Sequence, residues 1–241
     1  MSRTSSVASK ASPSKRGRSV PRSRLAAVGL LAFAVLLAGS ALARPDAGAA
    51  AASHPTVTLD GLFAQFRAIP GLFARYREDK HIALLAEPIV SEGTVHYAPP
   101  RRMARHTRTP SPAHVVLDAE ALRFNDGTTT RQIDVGASPV VRALAESFLD
   151  VLAGDRAGLE RSFVVDFRAG QGTAWKLGLV PRTPALLAVL TAIDFEGDGL
   201  VVSKMRIREA SGDEGVTTFS DVDVAHRYSP EEAARIFRVD P

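Results

Sequence analysis

Cysteine is absent from the 241 residues of the chain. Its absence excludes disulfide bonds, thiolate metal sites, a cysteine nucleophile and a lipid-modified cysteine anchor. It is compatible with an oxidising compartment, where a free thiol would be a liability. The sequence also lacks a G-x-S-x-G elbow and a phosphate-binding P-loop. These absences predict a protein that is not an enzyme and that needs no cofactor.

Metal-ligand spacing is missing as well. The six histidines include no H-x-x-x-H pair with an adjacent carboxylate. Carboxylates crowd at residues 194–198 and 221–223, but both groups lack the spacing and the bidentate Glu of an EF-hand. The sequence therefore predicts no metal site, and the histidines are interpreted as ordinary surface or half-buried side chains.

Long hydrophobic runs are scarce, and the clearest one lies near the N-terminus. Leu25–Gly39 is an uncharged apolar run of 15 residues, which is shorter than the roughly 20 residues that span a membrane. Basic residues precede this run, and Ser-Ala-Leu-Ala follows it at residues 40–43. This order is typical of a secretory signal peptide.

The chain is therefore divided into three parts. We predict a signal peptide over residues 1–43, cleaved after Ala43, a flexible linker over residues 44–57 and one domain over residues 58–241. The predicted location is the periplasm. The alternative is that the leader stays uncleaved as an N-terminal anchor.

Most of the excess positive charge belongs to this leader. Seven of the 30 basic residues lie in the first 43 residues, and no acidic residue lies there. Without the leader the formal net charge changes from +4 to −3. The predicted domain has no overall basic character to attract nucleic acid, so no nucleic-acid partner is predicted.

Residues 87–102 carry the pattern around which the predicted domain is organised. Their alternation predicts a strand with Val95 and Tyr97 on one face. Pro88 and Pro99-Pro100 cannot donate ladder hydrogen bonds, so they belong at the ends of this strand. Gly93 is interpreted as a bulge or bend that lets the sheet curl.

The remaining pattern predicts a helix, about five or six strands, a second helix and about five more strands. The helices cover residues 58–69 and 139–152, and Ser138 is the candidate N-cap of the second. Turns join consecutive strands, so the sheet is predicted to be antiparallel. A sheet of about 10 or 11 strands curls, and the apolar sides of the two helices are expected to cover its concave face.

The inward apolar side chains have two interpretations that the residues alone leave open. They form either an ordinary core or the lining of a ligand chamber, because concave apolar pockets suit acyl chains. The candidates are Phe73, Val95, Tyr97, Phe163, Val165, Phe167, Trp175, Leu177, Leu179, Met205, Ile207 and Phe219. The 139–152 helix adds Leu144 and Phe148 from its apolar stripe.

A basic cluster follows the prolines of residues 99–100. Arg101, Arg102, Arg105 and Arg108 lie within eight positions. They form either a solvated strand edge or a docking patch for an acidic partner or a lipid head group.

Several stretches, each degenerate alone, recur together in one order and spacing. They are residues 62–67 (LFAQFR), 70–73, 84–99, 149–155 followed by Leu159 and Phe163, 175–181 (WKLGLVP) and 212–219. Across residues 58–225 the chain resembles a divergent branch of the periplasmic outer-membrane lipoprotein carrier (LolA-like) family. The resemblance implies an α+β fold, an incomplete antiparallel β-barrel of about 10–11 strands with helices covering its concave apolar face.

The resemblance also implies a function. Such proteins are monomeric carriers without a cofactor that shield acyl chains of lipoproteins in an apolar cavity. They receive cargo from a transient inner-membrane release complex and pass it to an outer-membrane acceptor. The resemblance favours a ligand chamber lined by the inward apolar residues, and it implies that the 139–152 helix, with Leu144 and Phe148, is a lid over that chamber.

One departure from the family concerns the lid. An Arg-Pro pair follows the equivalent strand in the well-studied carriers, and its Arg holds the lid shut. Here Pro99-Pro100 stands in that place, and Arg101 and Arg102 come just after. Either arginine is a candidate lid clasp or docking residue, and a lipid or glycolipid is an alternative cargo.

Two other functions remain open at this point. One is a non-catalytic accessory protein of an envelope lipid-export complex, which would bind through the convex face or through residues 101–108. The other is a hydrolase of lipid or envelope sugar, which would need a carboxylate or a Ser/His set inside the sheet.

Overall fold

The structure, a computed structural model, describes residues 57–239. The predicted signal peptide and the linker up to residue 56 lie outside the described residues. The helices are α1 (Leu59–Arg67), α2 (Pro139–Leu152), α3 (Arg156–Ser162), α4 (Pro184–Leu187) and α5 (Pro230–Ile236), with a 3-10 turn at Val135–Ala137. Among these residues no helix is both long and apolar enough to cross a membrane.

The strands are β1 (Leu72–His81), β2 (Ile89–Ala98), β3 (Arg102–Thr109), β4 (Ala113–Leu117), β5 (Ala121–Asn125), β6 (Thr130–Asp134), β7 (Phe163–Ala169), β8 (Ala174–Pro181), β9 (Leu190–Asp198), β10 (Val201–Glu209) and β11 (Glu214–Asp223). They form one sheet in the order β6-β5-β4-β3-β2-β1-β11-β10-β9-β8-β7, and all neighbours are antiparallel. Strands β6 and β7 lie at opposite ends, so the sheet is not closed. The predicted fold class, an incomplete antiparallel barrel with helices, is confirmed.

The path of the chain explains why helices cover one face. Strands β1 to β6 run outward from the middle of the sheet, whereas β7 to β11 return from the opposite end. The connection from β6 to β7 therefore crosses the full width of the sheet, and it contains α2 and α3. Their side chains Phe148 and Leu159 share one core cluster with Val95 and Trp175 of the strands. We call this covered side of the sheet the concave face.

The two predicted helices begin in different ways. Thr58 caps α1, because its hydroxyl accepts a hydrogen bond from the Gly61 amide at 3.1 Å. Ser138 occupies the N-cap position of α2 as predicted, but its side chain makes no capping hydrogen bond. The start of α2 instead has Pro139, whose fixed φ suits the first helical turn.

The predicted irregularity lies at Gly93, but the extra residue is Arg108 on the partner strand β3, because Glu92 pairs with Thr109 and Gly93 pairs with Thr107. The register between β2 and β3 shifts between Glu92 and Gly93. A Cβ atom at Gly93 would lie 1.9 Å from the His106 carbonyl oxygen. The close approach of β3 at this point therefore requires glycine.

Replacing Gly93 by alanine is expected to lower the free energy of unfolding by about 2 kcal/mol, because the methyl group forces the β3 backbone away. Chemical denaturation measures this change. Gly178→Ala on β8 is the control, since its Cβ would meet nothing closer than 3.5 Å. Equal losses in the two variants would contradict a special role for the bulge.

The convex face is also partly covered, which the sequence pattern did not indicate. Ile236 and Phe237 pack on Ala98, Ala104 and Val116 in a second apolar cluster. The segment around α5 thus lies over β2 to β4. Ser229 caps α5 by accepting a hydrogen bond from the Glu232 amide at 3.1 Å.

Candidate functional site: a lidded concave face

Eight of the twelve residues considered as chamber lining lie almost fully buried together on the concave face. Each is at most 2% exposed, and all belong to one core cluster. They are Val95, Tyr97, Phe163, Trp175, Leu177, Leu179, Met205 and Phe219. Ile207 belongs to the same cluster, and the partly buried Val165 and Phe167 pack against it.

Phe73 was placed on the wrong face. Strand alternation sends its neighbours Leu72 and Ala74 into the core, so Phe73 points to the convex side. There its ring centroid lies 5.4 Å from that of His96 and 6.0 Å from that of His226. It is therefore part of the contact between the sheet and the C-terminal segment, not of the concave lining.

The lid residues complete the concave core. Leu144 and Phe148 of α2 are buried in the same cluster as the strand side chains. From α1, the Phe66 ring meets Trp175 edge to face, with ring centroids 6.3 Å apart. Helical side chains thus occupy the space that the sequence analysis assigned to a ligand, and the structure corresponds to a closed lid.

Arg101 connects the sheet to the lid helix. Its Nη1 lies 2.7 Å from Oδ1 of Asp150, near the end of α2, and the Asp150 side chain is 3% exposed. Burial raises the pKa of the Asp150 carboxyl, and the hydrogen bond from Arg101 opposes that rise. This geometry is that of a clasp between the β2–β3 turn and α2.

The surroundings of the clasp hold both partners in place. The Tyr97 hydroxyl donates a hydrogen bond to the Pro100 carbonyl at 2.8 Å, which fixes the turn that carries Arg101. On the other side, a Cβ atom at Gly158 of α3 would lie 2.6 Å from Oδ2 of Asp150. The Asp150 carboxylate is therefore enclosed between α3 and the arginine.

A second contact joins the two lid elements to each other. Arg67, at the end of α1, donates a hydrogen bond from Nη2 to the Gly154 carbonyl at 2.7 Å. Gly154 has a φ of +63°, and a Cβ there would lie 2.1 Å from the Phe63 carbonyl oxygen. Helix α1 and the α2–α3 turn therefore meet backbone to backbone, which favours their moving as one unit.

Arg102 does not contact the lid. Its guanidinium carbon lies 4.6 Å from the centroid of the Phe237 ring, in a cation–π contact with the C-terminal segment. Arg101 sits in the turn, whereas Arg102 begins β3 and points to the convex face. The suggestion that Arg102 clasps the lid is therefore wrong.

The interpretation of residues 101–108 as one basic patch is also wrong. Arg105 alternates inward and is buried on the concave face, where its Nη2 lies 2.5 Å from Oε2 of Glu78. Arg101, Arg102 and Arg105 thus contact the lid, the C-terminal segment and the interior of the sheet respectively, and Arg108 is exposed near the end of β3.

Sequence reasoning missed the polar part of the concave face. We call it the inner polar end; it consists of Tyr76, Glu78, Ser91, Arg105, Thr107 and Thr217. Glu78 and Ser91 are a carboxylate and a hydroxyl of the kind that the hydrolase hypothesis required, but both bond to Arg105. The signal was present in the strand alternation, which places Glu78 two positions after Tyr76.

The carboxylates considered for calcium make ion pairs on the sheet surface instead. Glu196 pairs with Lys176, and Asp221 pairs with Arg75. Within residues 57–239 no group of three or more His, Asp or Glu side chains is arranged to hold a metal ion.

Comparison with known proteins was made for both the sequence and the structure. Residues 47–235 match the family described as outer membrane lipoprotein carrier protein LolA-like. A search of curated proteins gives no match.

Several solved structures are similar to this chain at low sequence identity. A LolA-superfamily protein from Nitrosomonas europaea is 9% identical with a TM-score of 0.40, and the match covers 73% of this chain and 97% of that one. In a structure of the Pseudomonas aeruginosa MucA/MucB complex, the matched chain is 11% identical with a TM-score of 0.43, and the match covers 72% of this chain and 58% of that one. A Vibrio parahaemolyticus domain described as a putative outer membrane lipoprotein-sorting protein domain is 8% identical with a TM-score of 0.43, and the match covers 72% of this chain and 95% of that one.

The family match carries more weight than these structural likenesses. It extends over residues 47–235, well over half of the chain, and includes every helix and strand up to β11. The chain belongs to the LolA-like family of outer membrane lipoprotein carrier proteins.

Proposed function

We propose that the protein is a periplasmic carrier that binds the acyl chains of lipoproteins, or of related lipids, on its concave face. The observation that carries the proposal is an apolar concave face closed by helices, which the ion pair between Arg101 and the buried Asp150 ties to the sheet. The ligand is held without covalent chemistry. Membership of a lipoprotein-carrier family supports this function.

The closed lid sets the energetics of binding. Each acyl CH₂ group that leaves water contributes about 0.8 kcal/mol. The lining already contacts Phe66 and Phe148, however, so an entering chain replaces those contacts rather than adding to them. The net affinity is the difference between the contacts that the acyl chain gains and the lid contacts that it displaces. This difference is favourable when the displaced faces of the helices cover the other side of the acyl chain.

Delivery follows from the same balance. We propose that a transient inner-membrane release complex loads the carrier, which works as a monomer, and that an outer-membrane acceptor unloads it. The sequence contains no energy-coupling motif. Transfer is then driven by an acceptor that binds the acyl chain more tightly than the carrier does.

Binding of dansyl-labelled undecanoic acid tests this proposal. Leu177→Arg is expected to weaken binding of the probe by at least about tenfold, because the acyl chain would then have to contact a charged group in the lining. Val180→Arg is the matched control: it lies on the same strand, faces outward and is 47% exposed. Circular dichroism establishes that each variant is folded.

Native mass spectrometry of gently purified protein gives the complementary measurement. Lipid adducts on the wild-type protein, reduced in Leu177→Arg and retained in Val180→Arg, are the expected result. Wild-type protein that shows neither adducts nor binding of the dansyl probe would refute the carrier proposal.

A second candidate is a non-catalytic accessory protein of an envelope lipid-export complex. The observation that favours it is an exposed apolar loop between β1 and β2, where Leu84 is 94% exposed and Leu85 and Ile89 are also exposed. Apolar side chains in such a loop suit contact with a partner. Capture of a membrane complex that survives Leu177→Arg but is lost in Leu84→Ser would favour this function.

A further inference from the structure

The concave face changes character along its strands. At one end of the face, β1, β2 and β3 contribute Leu72, Tyr97 and Met103. Leu72 and Met103 are apolar, and the one polar group, the Tyr97 hydroxyl, is bonded to a backbone carbonyl. Further along, the same strands contribute residues of the inner polar end: Arg105 is one inward position from Met103, and Glu78 is three inward positions from Leu72. The inner polar end is therefore continuous with the apolar lining, and the two together form an amphipathic surface.

A charged pair forms the centre of the inner polar end. Arg105 Nη2 lies 2.5 Å from Oε2 of Glu78 and donates a hydrogen bond to the Ser91 hydroxyl at 3.2 Å. Its guanidinium carbon also lies 4.1 Å from the centroid of the Tyr76 ring. A buried ion pair is weak evidence for stability, since apolar residues of similar volume are often as stabilising.

Two polar atoms beside this pair lack a hydrogen-bond partner among the described residues. They are Oε1 of Glu78, in a residue that is 5% exposed, and the hydroxyl of Thr217, which is fully buried. Glu78 and Thr217 are directly opposite each other on β1 and β11. A buried polar atom without a hydrogen bond is destabilising, so a partner at this point would stabilise the protein.

The chemistry of the two atoms defines the partner. Oε1 of a carboxylate only accepts a hydrogen bond, whereas the threonine hydroxyl both donates and accepts. A Cβ atom at Gly215 would lie 3.2 Å from Oε1, and glycine leaves that position free of a side chain. Arg105 already neutralises the Glu78 charge, so a neutral donor group fits better than a second anion or cation.

We propose that the inner polar end binds the head group of an acyl lipid, a neutral group with hydroxyl or amide hydrogens that donates to Glu78 and exchanges a hydrogen bond with Thr217. The acyl chain then lies along the apolar lining, and the amphipathic surface fixes the direction of the ligand. This inference rests on the proposed carrier function, because the lid must open before a lipid can enter.

Calorimetric titration with two ligands of equal chain length, monolauroylglycerol and laurate, tests the proposal. The wild-type protein is expected to bind the glycerol ester about tenfold more tightly than the carboxylate, since only the ester can donate to Glu78. Glu78→Gln, which presents an amide that donates as well as accepts, and Thr217→Val, which keeps the shape of the side chain, are each expected to remove most of this preference.

Glu92→Gln is the matched control, because Glu92 lies on the neighbouring strand and pairs with Arg77 on the convex face. It should retain the wild-type preference. If Glu78→Gln does not fold, the ligand preference of Thr217→Val alone tests the head-group site, since this substitution leaves the Glu78–Arg105 ion pair intact.

The failures of the two proposals are distinguishable. Equal binding of the two ligands by wild-type protein, or a preference that both variants retain, overturns the head-group site while leaving the carrier intact. The two unpaired atoms would then have only a structural role. Absence of binding for both ligands overturns the carrier function itself and this inference with it.

Discussion

Arg101→Gln is expected to lower the free energy of unfolding by about 3 kcal/mol, because it leaves a buried carboxylate without its cation. The Asp150 side chain is 3% exposed and the α3 backbone closes in on it at Gly158. Water therefore has little access to replace the guanidinium. Urea denaturation at neutral pH measures the loss.

Arg102→Gln is the matched control for this experiment. Arg102 is the next residue, but it is exposed and its partner is the Phe237 ring. Loss of an exposed cation–π contact costs about 0.5–1 kcal/mol. Similar losses in the two variants would contradict a specific clasp at Arg101.

The loss in Arg101→Gln is also expected to depend on pH. Burial raises the pKa of Asp150, and the hydrogen bond from Arg101 opposes this rise. Removing the arginine raises the pKa of this carboxyl in the folded protein further above its value in the unfolded chain. A raised folded-state pKa contributes stability at low pH that is lost as the pH rises through it, so the deficit of the variant shrinks on acidification.

Asp150→Asn added to Arg101→Gln should recover part of the stability, because a neutral amide costs less to bury than an unpaired carboxylate.

The clasp hypothesis also predicts an effect on the kinetics of ligand binding. A weakened tie between sheet and α2 should increase the association rate of the dansyl probe, whereas Arg102→Gln should not.

The turns between consecutive strands were sufficient to predict the antiparallel sheet, and strand alternation was sufficient to predict most of its inner face. Trp175, Leu177 and Leu179 share a face because they lie two residues apart on a strand, whatever the strand pairs with. The bulge at Gly93 was predictable for a similar reason, since glycine within a strand between prolines has few other uses.

Contacts between distant segments could not be predicted in this way. Phe73 was misassigned although alternation places it with Arg75 and Arg77, because nothing local indicates that α5 covers the convex face. Arg105 was taken as exposed because its partner Glu78 is 27 residues away, and their pairing depends on the β1–β2–β3 register. The charge of Arg105 alone suggests a position exposed to solvent, and only the pairing register of β1, β2 and β3 shows that it forms an internal ion pair.

The second large effect is expected from acidification, through His96 on the convex face. This residue is 5% exposed. Its Nδ1 lies 3.2 Å from the Tyr228 hydroxyl and its Nε2 lies 3.0 Å from the Thr94 hydroxyl. Burial, together with the neighbouring His106, His226 and His114 in that order, lowers the pKa of His96 to about 3.

The sign of the pH effect follows from this shift. The unfolded chain binds a proton at His96 near about pH 6.5, whereas the folded protein does not bind it until about pH 3. Between these values the unfolded state holds more protons, so stability falls as the pH falls. The expected slope from this one residue is about 1.4 kcal/mol per pH unit, or about 3 kcal/mol over two units.

His96→Gln is expected to flatten the fall in the free energy of unfolding between about pH 6.5 and about pH 4.5, because an amide bonds to Tyr228 and Thr94 without titrating. His81→Gln, at an exposed position at the end of β1, should retain the wild-type slope. Other groups add to the slope of both proteins: burial also lowers the pKa of His106, with His114 adding to it and a hydrogen bond to the Ile236 carbonyl opposing it. The difference between the His96 and His81 variants therefore isolates the buried imidazole, and equal slopes would show that its charging costs the fold nothing.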